Sequence, residues 1–269
     1  MSSVPERPIA ADWLALREPA DTRTRDAVAA DLLPLLLARL PEGADPGLRI
    51  VDLGAGTGAN LRWLAPRLPH PDRQHWLLVD HDPGLLAKGP VDATAVRADV
   101  VDLTTVLAEH GGADLITAAA LLDLLHPGEV EAIVDAVVKA GVPALFTLSV
   151  TGEVELDPAD EQDGPLAASF DAHQRRDGRL GPDAGPAAAT LFQDRGWTVI
   201  EVRTPWLLTA ADHPDLVHAW LEGRVEAAVE HQPELASAAA EWLARRLGQP
   251  GLTARIGHVD VLALPPSTS

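Results

Sequence analysis

The chain of 269 residues contains no cysteine, no tyrosine, one methionine and three phenylalanines. Without cysteine there are no disulfides and no thiolate zinc sites. Without tyrosine no phenol can act as a base. Basic residues are scarce, 21 against 40 acidic ones, for a net charge of −19. That balance argues against a broad basic face for nucleic acid, since such binding runs on Lys and Arg neutralising phosphate; the acidic surface is read as serving solubility. No apolar run approaches the roughly 20 residues a membrane helix needs, and the start lacks a basic-then-apolar pattern. The expectation is a cytoplasmic protein with no membrane or nucleic-acid partner. With 46% hydrophobic residues, the chain is long enough for one domain with an elaboration.

The stretch that organises the rest is Val51-Asp52-Leu53-Gly54-Ala55-Gly56-Thr57-Gly58-Ala59-Asn60. An apolar run ends in a carboxylate, a glycine-rich turn follows, and an amphipathic helix starts with Leu61, Trp63, Leu64 and Leu68. Strand, tight loop and helix start form a site for a nucleotide-like ligand, with the helix N-terminus presenting free N–H groups. Asp52 at the strand end would repel a pyrophosphate and suits a ligand with a cationic end.

Two further apolar runs also end in acids. Trp76-Leu77-Leu78-Val79 closes on Asp80, followed by His81 and an Asp82-Pro83 helix cap; Thr94 to Ala98 leads to Asp99 and Val100. A carboxylate at the end of a second strand suits ribose hydroxyls. The bland alternatives are a helix cap for Asp80 and a solvated loop acid for Asp99. Ala113 to Ala120, Pro143 to Val150, Trp197 to Val202 and Ala254 to Leu264 read as later strands, with helices from Gly128 to Ala140 and from Gly185 to Arg195. Strands alternating with helices predict an α/β doubly wound sheet.

Val51 to Gly58, with the ordered acids Asp52, Asp80 and Asp99, resembles the class I methyltransferases that use S-adenosylmethionine. The resemblance covers about residues 52–150 by motif and the remainder only by strand count. It implies a seven-stranded sheet of order 3-2-1-4-5-7-6 with strand 7 antiparallel, and S-adenosylmethionine as cofactor, leaving S-adenosylhomocysteine as product. The implied cofactor set is Arg17, Asp52, Gly54, Gly56, Asn60, Asp80, His81, Asp99, Val100, Ala118 and Ala119. Asp99 and Val100 hold the adenine place, and the small Ala118 and Ala119 lie beside the methionine part. Arg17 is a candidate for the cofactor carboxylate or an anionic substrate; the alternative is a surface pair with Glu18 or Asp21.

In that fold the loop after the fourth strand faces the transferred methyl. This makes Asp123 and His126 candidates for substrate positioning or proton removal, against a turn cap for Asp123 and a surface turn for His126. Phe170 to Arg176 carries the densest polar cluster, with His173 as a base and Arg175 as an anion holder; a solvated helix is the alternative. A divalent cation on His173 with Asp171, or on Asp157 and Asp160, is weighed and set aside, so no metal is assigned.

The acidic stretch 151–164 is expected to be a long loop. Residues Met1 to Pro8 are expected to be loose, and Pro19 to separate two N-terminal helices. The division expected is 1–45 as N-terminal helices over the cofactor and substrate side, 46–206 with 252–265 as the core, and 207–251 as a helical insertion between strands 6 and 7. That insertion serves as a cap or as a homodimer surface, with Trp206, Trp220 and Trp242 read as its core and substrate stacking as their alternative. The Asn-Pro-Pro-Tyr or Asp-Pro-Pro-Tyr tetrapeptide of base and glutamine methyltransferases is absent. The expected reaction is therefore methyl transfer to an O or N atom of a small molecule, in secondary metabolism. The alternatives are a non-catalytic scaffold of the same fold and an NAD-dependent oxidoreductase; Asp52, Asp99 and the lack of a Tyr-x-x-x-Lys pair oppose the latter.

Overall fold

The computed structural model describes residues 9–41 and 47–266; the expectation for Met1 to Pro8 lies outside the described residues. The chain opens with helix α1 (Ala11–Leu37), then alternates β1 (Leu48–Leu53), α2 (Ala59–Leu64), β2 (Gln74–Asp80), α3 (Pro83–Leu86), β3 (Thr94–Arg97), α4 (Leu103–Glu109), β4 (Leu115–Ala119), α5 (Pro127–Ala140) and β5 (Ala144–Asp157). The second half runs α6 (Asp163–Gln174), α7 (Ala184–Asp194), β6 (Thr198–Arg203), β7 (Trp206–Thr209), α8 (Pro214–His231), α9 (Ala236–Leu247) and β8 (Thr253–Leu264).

The main strand order is β3-β2-β1-β4-β5-β8-β6, with β7 pairing β8 beside that path. Pairs among β1 to β5 are parallel, and β8 runs antiparallel to β5, β6 and β7. This is the expected order with one strand added. Trp206 to Thr209 pairs with Ile256 to Thr253, so the insertion begins with a strand before its helices.

Successive strand residues point to opposite faces, and the apolar runs divide accordingly. Val51, Leu53, Leu77 and Val79 face one core with α4, α5 and α7, including Val106, Val134 and Phe192. Ile50, Trp76 and Leu78 face the other with Leu32, Leu33 and Leu36 of α1 and Trp63 and Leu64 of α2. Both faces are covered, which is why these strands read as continuous apolar runs. A third core joins β7, α8 and α9 to the start of β8 through Trp206, Leu221, Trp242 and Ile256.

Two expectations are corrected. Pro19 does not end the first helix, since α1 is continuous through Pro19 and Pro34. Proline removes one N–H and crowds the preceding turn. Here Arg17 pairs with Asp21 across the proline at 2.9 Å, and the Trp206 indole N–H donates to Asp21 at 2.9 Å, tying the helix to β7. The stretch 151–157 is not loop either but the second half of β5. Its alternation was present in the sequence: Val154 and Leu156 pack inward on the third core, between Glu153, Glu155 and Asp157.

This longer strand is bent by register shifts against β8, between Phe146 and Ser149 and between Val150 and Val154. Leu148 takes a positive φ of 59° at the first shift, and its N–H donates at 2.8 Å to the buried carboxylate of Asp260 on β8. Thr204 Oγ1 donates to the same oxygen at 2.8 Å. A bulge leaves a backbone donor unpaired, and Asp260 supplies its acceptor.

Candidate active site

Three glycines make the loop between β1 and α2. Gly54 has φ 60°, and a Cβ there would lie 2.7 Å from Leu121 Cδ1; Gly58 has φ 78°, with Pro90 Cδ at 2.5 Å from the same construction. Left-handed backbone and absent space together demand glycine. The loop is held from the neighbouring strand: Gly56 N–H donates to Asp80 Oδ2 at 2.8 Å, and Asp82 N–H donates to Asp80 Oδ1 at 2.9 Å. Asp82 in turn caps α3, accepting from Gly84 N at 2.7 Å.

Behind the loop lies a buried polar network. Asn60 donates through Nδ2 to Asp52 Oδ1 at 2.8 Å and to Thr117 Oγ1 at 3.1 Å, and its carbonyl oxygen accepts from Arg25 at 3.0 Å. Arg25 is itself buried, with its guanidinium over the Trp63 ring at 4.4 Å. Asp52 is fully buried and its Oδ2 has no hydrogen-bond partner among the described residues. Burial pushes its carboxyl up to about 7, against the opposing pull of Asn60 and Arg25. Arg25 carried no signal beyond its charge in a helical stretch. The sequence reading placed Asn60 on the cofactor; in the structure its side chain is taken up by Asp52, Thr117 and Arg25.

These groups line one cavity of about 530 Å³, a size typical of small-molecule sites. Arg17, Asp52, Gly54, Gly56, Asn60, Asp80, His81, Asp99, Val100, Ala119 and Asp123 all belong to its wall. Ala118 is buried and not part of the wall. Arg17 keeps its pair with Asp21 while facing the cavity, and Glu18 pairs with Arg62 instead. Asp99 accepts from Val101 N–H at 3.3 Å at the start of a 3₁₀ turn and stands in the wall.

His173 and Arg175 are not brought to this wall. His173 is buried against Arg176, with Glu230 at 3.4 Å, and Arg175 is exposed and paired with Asp183 at 2.9 Å. Arg175 follows the last residue of α6 and is drawn outward by Asp183, and His173 is held between Arg176 and Glu230, while Phe170, Asp171 and Gln174 line the cavity. His126 begins α5, its N–H donating to Glu129 at 2.8 Å. Asp160 is engaged by Arg245 at 2.9 Å.

Asp123 sits in the turn after β4, buried, with Oδ1 unpartnered among the described residues; burial raises its carboxyl above the usual range. Opposite elements supply groups the sequence reading missed. His258 of β8 lines the cavity 5.1 Å from the Trp206 ring. Its Nδ1–H donates to Ile256 O at 3.1 Å, so Nε2 carries the lone pair; burial, with Arg17 adding, holds its pKa down to about 3. The far wall comes from α6 and α8 through Phe170, Asp171, Trp220 and Arg224. Among the described residues no helix is long and apolar enough to cross a membrane.

No protein-family model matches the chain, and no curated protein matches it significantly. Solved structures do resemble it. A phosphoethanolamine N-methyltransferase of Haemonchus contortus, crystallised with phosphomonomethylethanolamine and S-adenosylhomocysteine, is 13% identical over 98% of this chain and 62% of its own, with a TM-score of 0.46. A magnesium protoporphyrin IX methyltransferase from Synechocystis PCC 6803 with bound S-adenosylhomocysteine is 14% identical, covering 75% and 84% of the two chains at a TM-score of 0.46. A putative type II methyltransferase from Anaeromyxobacter dehalogenans is 15% identical over 87% and 94%, again at 0.46. The chain thus spans about 62% of the length of the Haemonchus protein. Its own strand order places β8 antiparallel between β5 and β6 in an otherwise parallel doubly wound sheet.

Proposed function

We propose that this protein is a methyltransferase that binds S-adenosylmethionine and moves its methyl group to an O or N atom of a small molecule held in the same cavity. One observation carries the reading: three strand-end carboxylates, Asp52, Asp80 and Asp99, stand in one wall beside the glycine loop, and Asp52 has a buried oxygen without a partner.

A buried orphan acceptor is costly unless something satisfies it. An ammonium group suits Asp52 Oδ2, and a pyrophosphate does not. Asp80, already fixed by two backbone N–H groups, retains lone pairs for ribose hydroxyls. Asp99 and Val100 take the adenine end, and Arg17 stays assigned to the cofactor carboxylate or an anionic acceptor. When bound, S-adenosylmethionine supplies a methyl already activated by a sulfonium. The chain's own residues therefore have to align an acceptor and exclude water.

Asp123 is the group proposed to take the acceptor's proton. Burial makes its carboxylate more basic than usual, which favours proton removal from an acceptor. His258, held neutral, offers Nε2 as an acceptor for a donor on the bound molecule. The helices of 207–251 are proposed as a cap, because α8 supplies Trp220 and Arg224 to the far wall. A cavity of about 530 Å³ and a net charge of −19 favour a small acceptor, of the kind made in secondary metabolism, over a nucleic acid.

Calorimetric titration with S-adenosylmethionine, S-adenosylhomocysteine and NAD tests the reading. Saturable binding of the two adenosyl amino acids without NAD is expected. Tight NAD binding with none for the adenosyl amino acids would overturn it in favour of an oxidoreductase.

A further inference from the structure

Arg224 of α8 is 5% exposed and forms part of the cavity wall. Its guanidinium lies over the Phe170 ring at 4.5 Å and the Trp220 ring at 5.3 Å. Its Nη2 has no hydrogen-bond partner among the described residues. Two carboxylates act on it electrostatically, Asp171 and Asp163, and neither forms an ion pair with it. Asp163 is taken by Arg246 and by the Trp242 indole N–H at 2.8 Å. A buried cation that is stacked and left unpaired is costly to keep. Water or a surface partner would ordinarily satisfy it. Here the residue lines the cavity.

The charge belongs to the acceptor end and not to the cofactor end. Asp52 responds to Arg25 and Asp80, whereas Arg224 responds to Asp171 and Asp163. It also stands on the inserted segment, away from the strand ends that carry the acidic triad.

We infer that Arg224 is an acceptor-recognition residue that binds the carboxylate of a small monoanionic molecule between Phe170, Trp220 and Asp171. A planar guanidinium held by two rings presents its fork in a fixed orientation, which matches a carboxylate bidentately. A phosphate dianion fits less well. Only this one unpaired guanidinium faces it at this end, and the Asp171 carboxylate in the same wall would repel a second negative charge. The inference rests on the methyltransferase reading only in calling the bound molecule the acceptor.

The test uses the full-length protein saturated with S-adenosylhomocysteine and titrates acetate, benzoate and indole-3-acetate against acetamide, benzamide and indole-3-acetamide. The Trp fluorescence and heat of binding are followed in wild type, Arg224→Met and Arg224→Lys. At least one carboxylate is expected to saturate and to exceed its amide in affinity by about tenfold or more. Arg224→Met should abolish that preference while leaving S-adenosylhomocysteine affinity unchanged. Arg224→Lys keeps the charge without the fork and covers the case in which the methionine variant does not fold; it should retain weaker carboxylate binding. Equal binding of acids and amides, no carboxylate binding, or undiminished carboxylate binding in a folded Arg224 variant would overturn the inference. If S-adenosylhomocysteine fails to bind while the carboxylate preference and its loss in the variants persist, the anion site stands and the methyltransferase reading falls.

Discussion

Asp80 Oδ2 accepts the Gly56 amide at 2.8 Å, so the carboxylate that ends the second strand holds the loop that follows the first. The residue assigned to a ribose is therefore also a structural clamp. Two backbone N–H groups on its two oxygens fix the carboxylate's rotation before any ligand arrives, which is the preorganisation a tight site needs. Asp80→Ala should consequently lose more than one contact. Hydrogen bonds to a charged group are worth about 1.5–3 kcal/mol each, so a loss of cofactor affinity on the order of a hundredfold is expected, together with a lower Tm. Asp80→Asn should fall between wild type and alanine on both readings. An alanine variant with full affinity would contradict the assignment.

Buried carboxyls set the pH dependence of stability. Asp52 is pushed up to about 7 and Asp260 to about 6 by burial, whereas an unfolded Asp loses its proton near about 3.9. Between those values the two carboxyls hold more protons in the folded chain, which lowers stability as pH rises from about 4 to about 7. His258, held down to about 3 against about 6.5 when unfolded, acts the other way up to about 6.5. It offsets part of what the two carboxyls lose, so a smaller net fall remains, levelling off above about 7. Repulsion within a chain of net charge −19 acts in the same direction. Thermal melts should give a higher Tm near about pH 5 than near about pH 7.5, and Asp52→Asn should flatten part of the slope. A Tm that climbs steadily over that interval would contradict the burial argument.

Asp123→Asn separates binding from chemistry. The side chain keeps its shape and loses its basicity. With an acceptor that must give up a proton, kcat should drop about a hundredfold or more, while S-adenosylhomocysteine affinity stays put. An unchanged kcat with such an acceptor would remove Asp123 from the chemistry.

Gly58→Ala would meet both a left-handed φ of 78° and Pro90 Cδ at 2.5 Å. Either effect alone destabilises, and about 1–3 kcal/mol is expected in denaturant unfolding, with weaker cofactor binding as the loop shifts. Gly128→Ala is the control: no atom lies within 4 Å of its added Cβ and its backbone is helical. It should be neutral or slightly stabilising.

The core and the carboxylate wall were legible because the first three strands are short apolar runs that end in, or lead directly to, an acid. Asp52, Asp80 and Asp99 are conspicuous for that reason, and strands covered on both faces give long apolar stretches. Strand β7 and the second half of β5 were harder to see. Val154 and Leu156 alternate properly, but among acidic residues and next to a proline they resemble loop. Tertiary contacts decided the fate of Pro19, since Asp21 bridges to Arg17 and Trp206 across 185 residues of sequence. Arg25, His258 and Arg224 were invisible for a related reason. A buried cation or histidine is defined by what surrounds it: Asn60 and Phe170 reach Arg25 and Arg224 from other helices, and only the fold puts His258 and the Arg224–Trp220 pair in the cavity wall. His173 and Arg175 lie in a polar run, and their local partners, Arg176 and Glu230 for the histidine and Asp183 for the arginine, hold them off the cavity wall.

The central claim is that the unpartnered oxygen of Asp52 receives the cationic end of an adenosyl amino acid. It is tested most directly by titrating S-adenosylhomocysteine calorimetrically at about pH 6 in two buffers of different ionisation enthalpy, with wild type and with Asp52→Asn. Asp52 holds a proton at that pH and must release it to accept an ammonium group. The account predicts release of most of one proton per ligand bound by wild type, affinity that rises with pH until about 7, and weak, proton-independent binding by the asparagine variant. Tight binding that releases no proton and survives Asp52→Asn, or no binding by wild type at any pH, would contradict it.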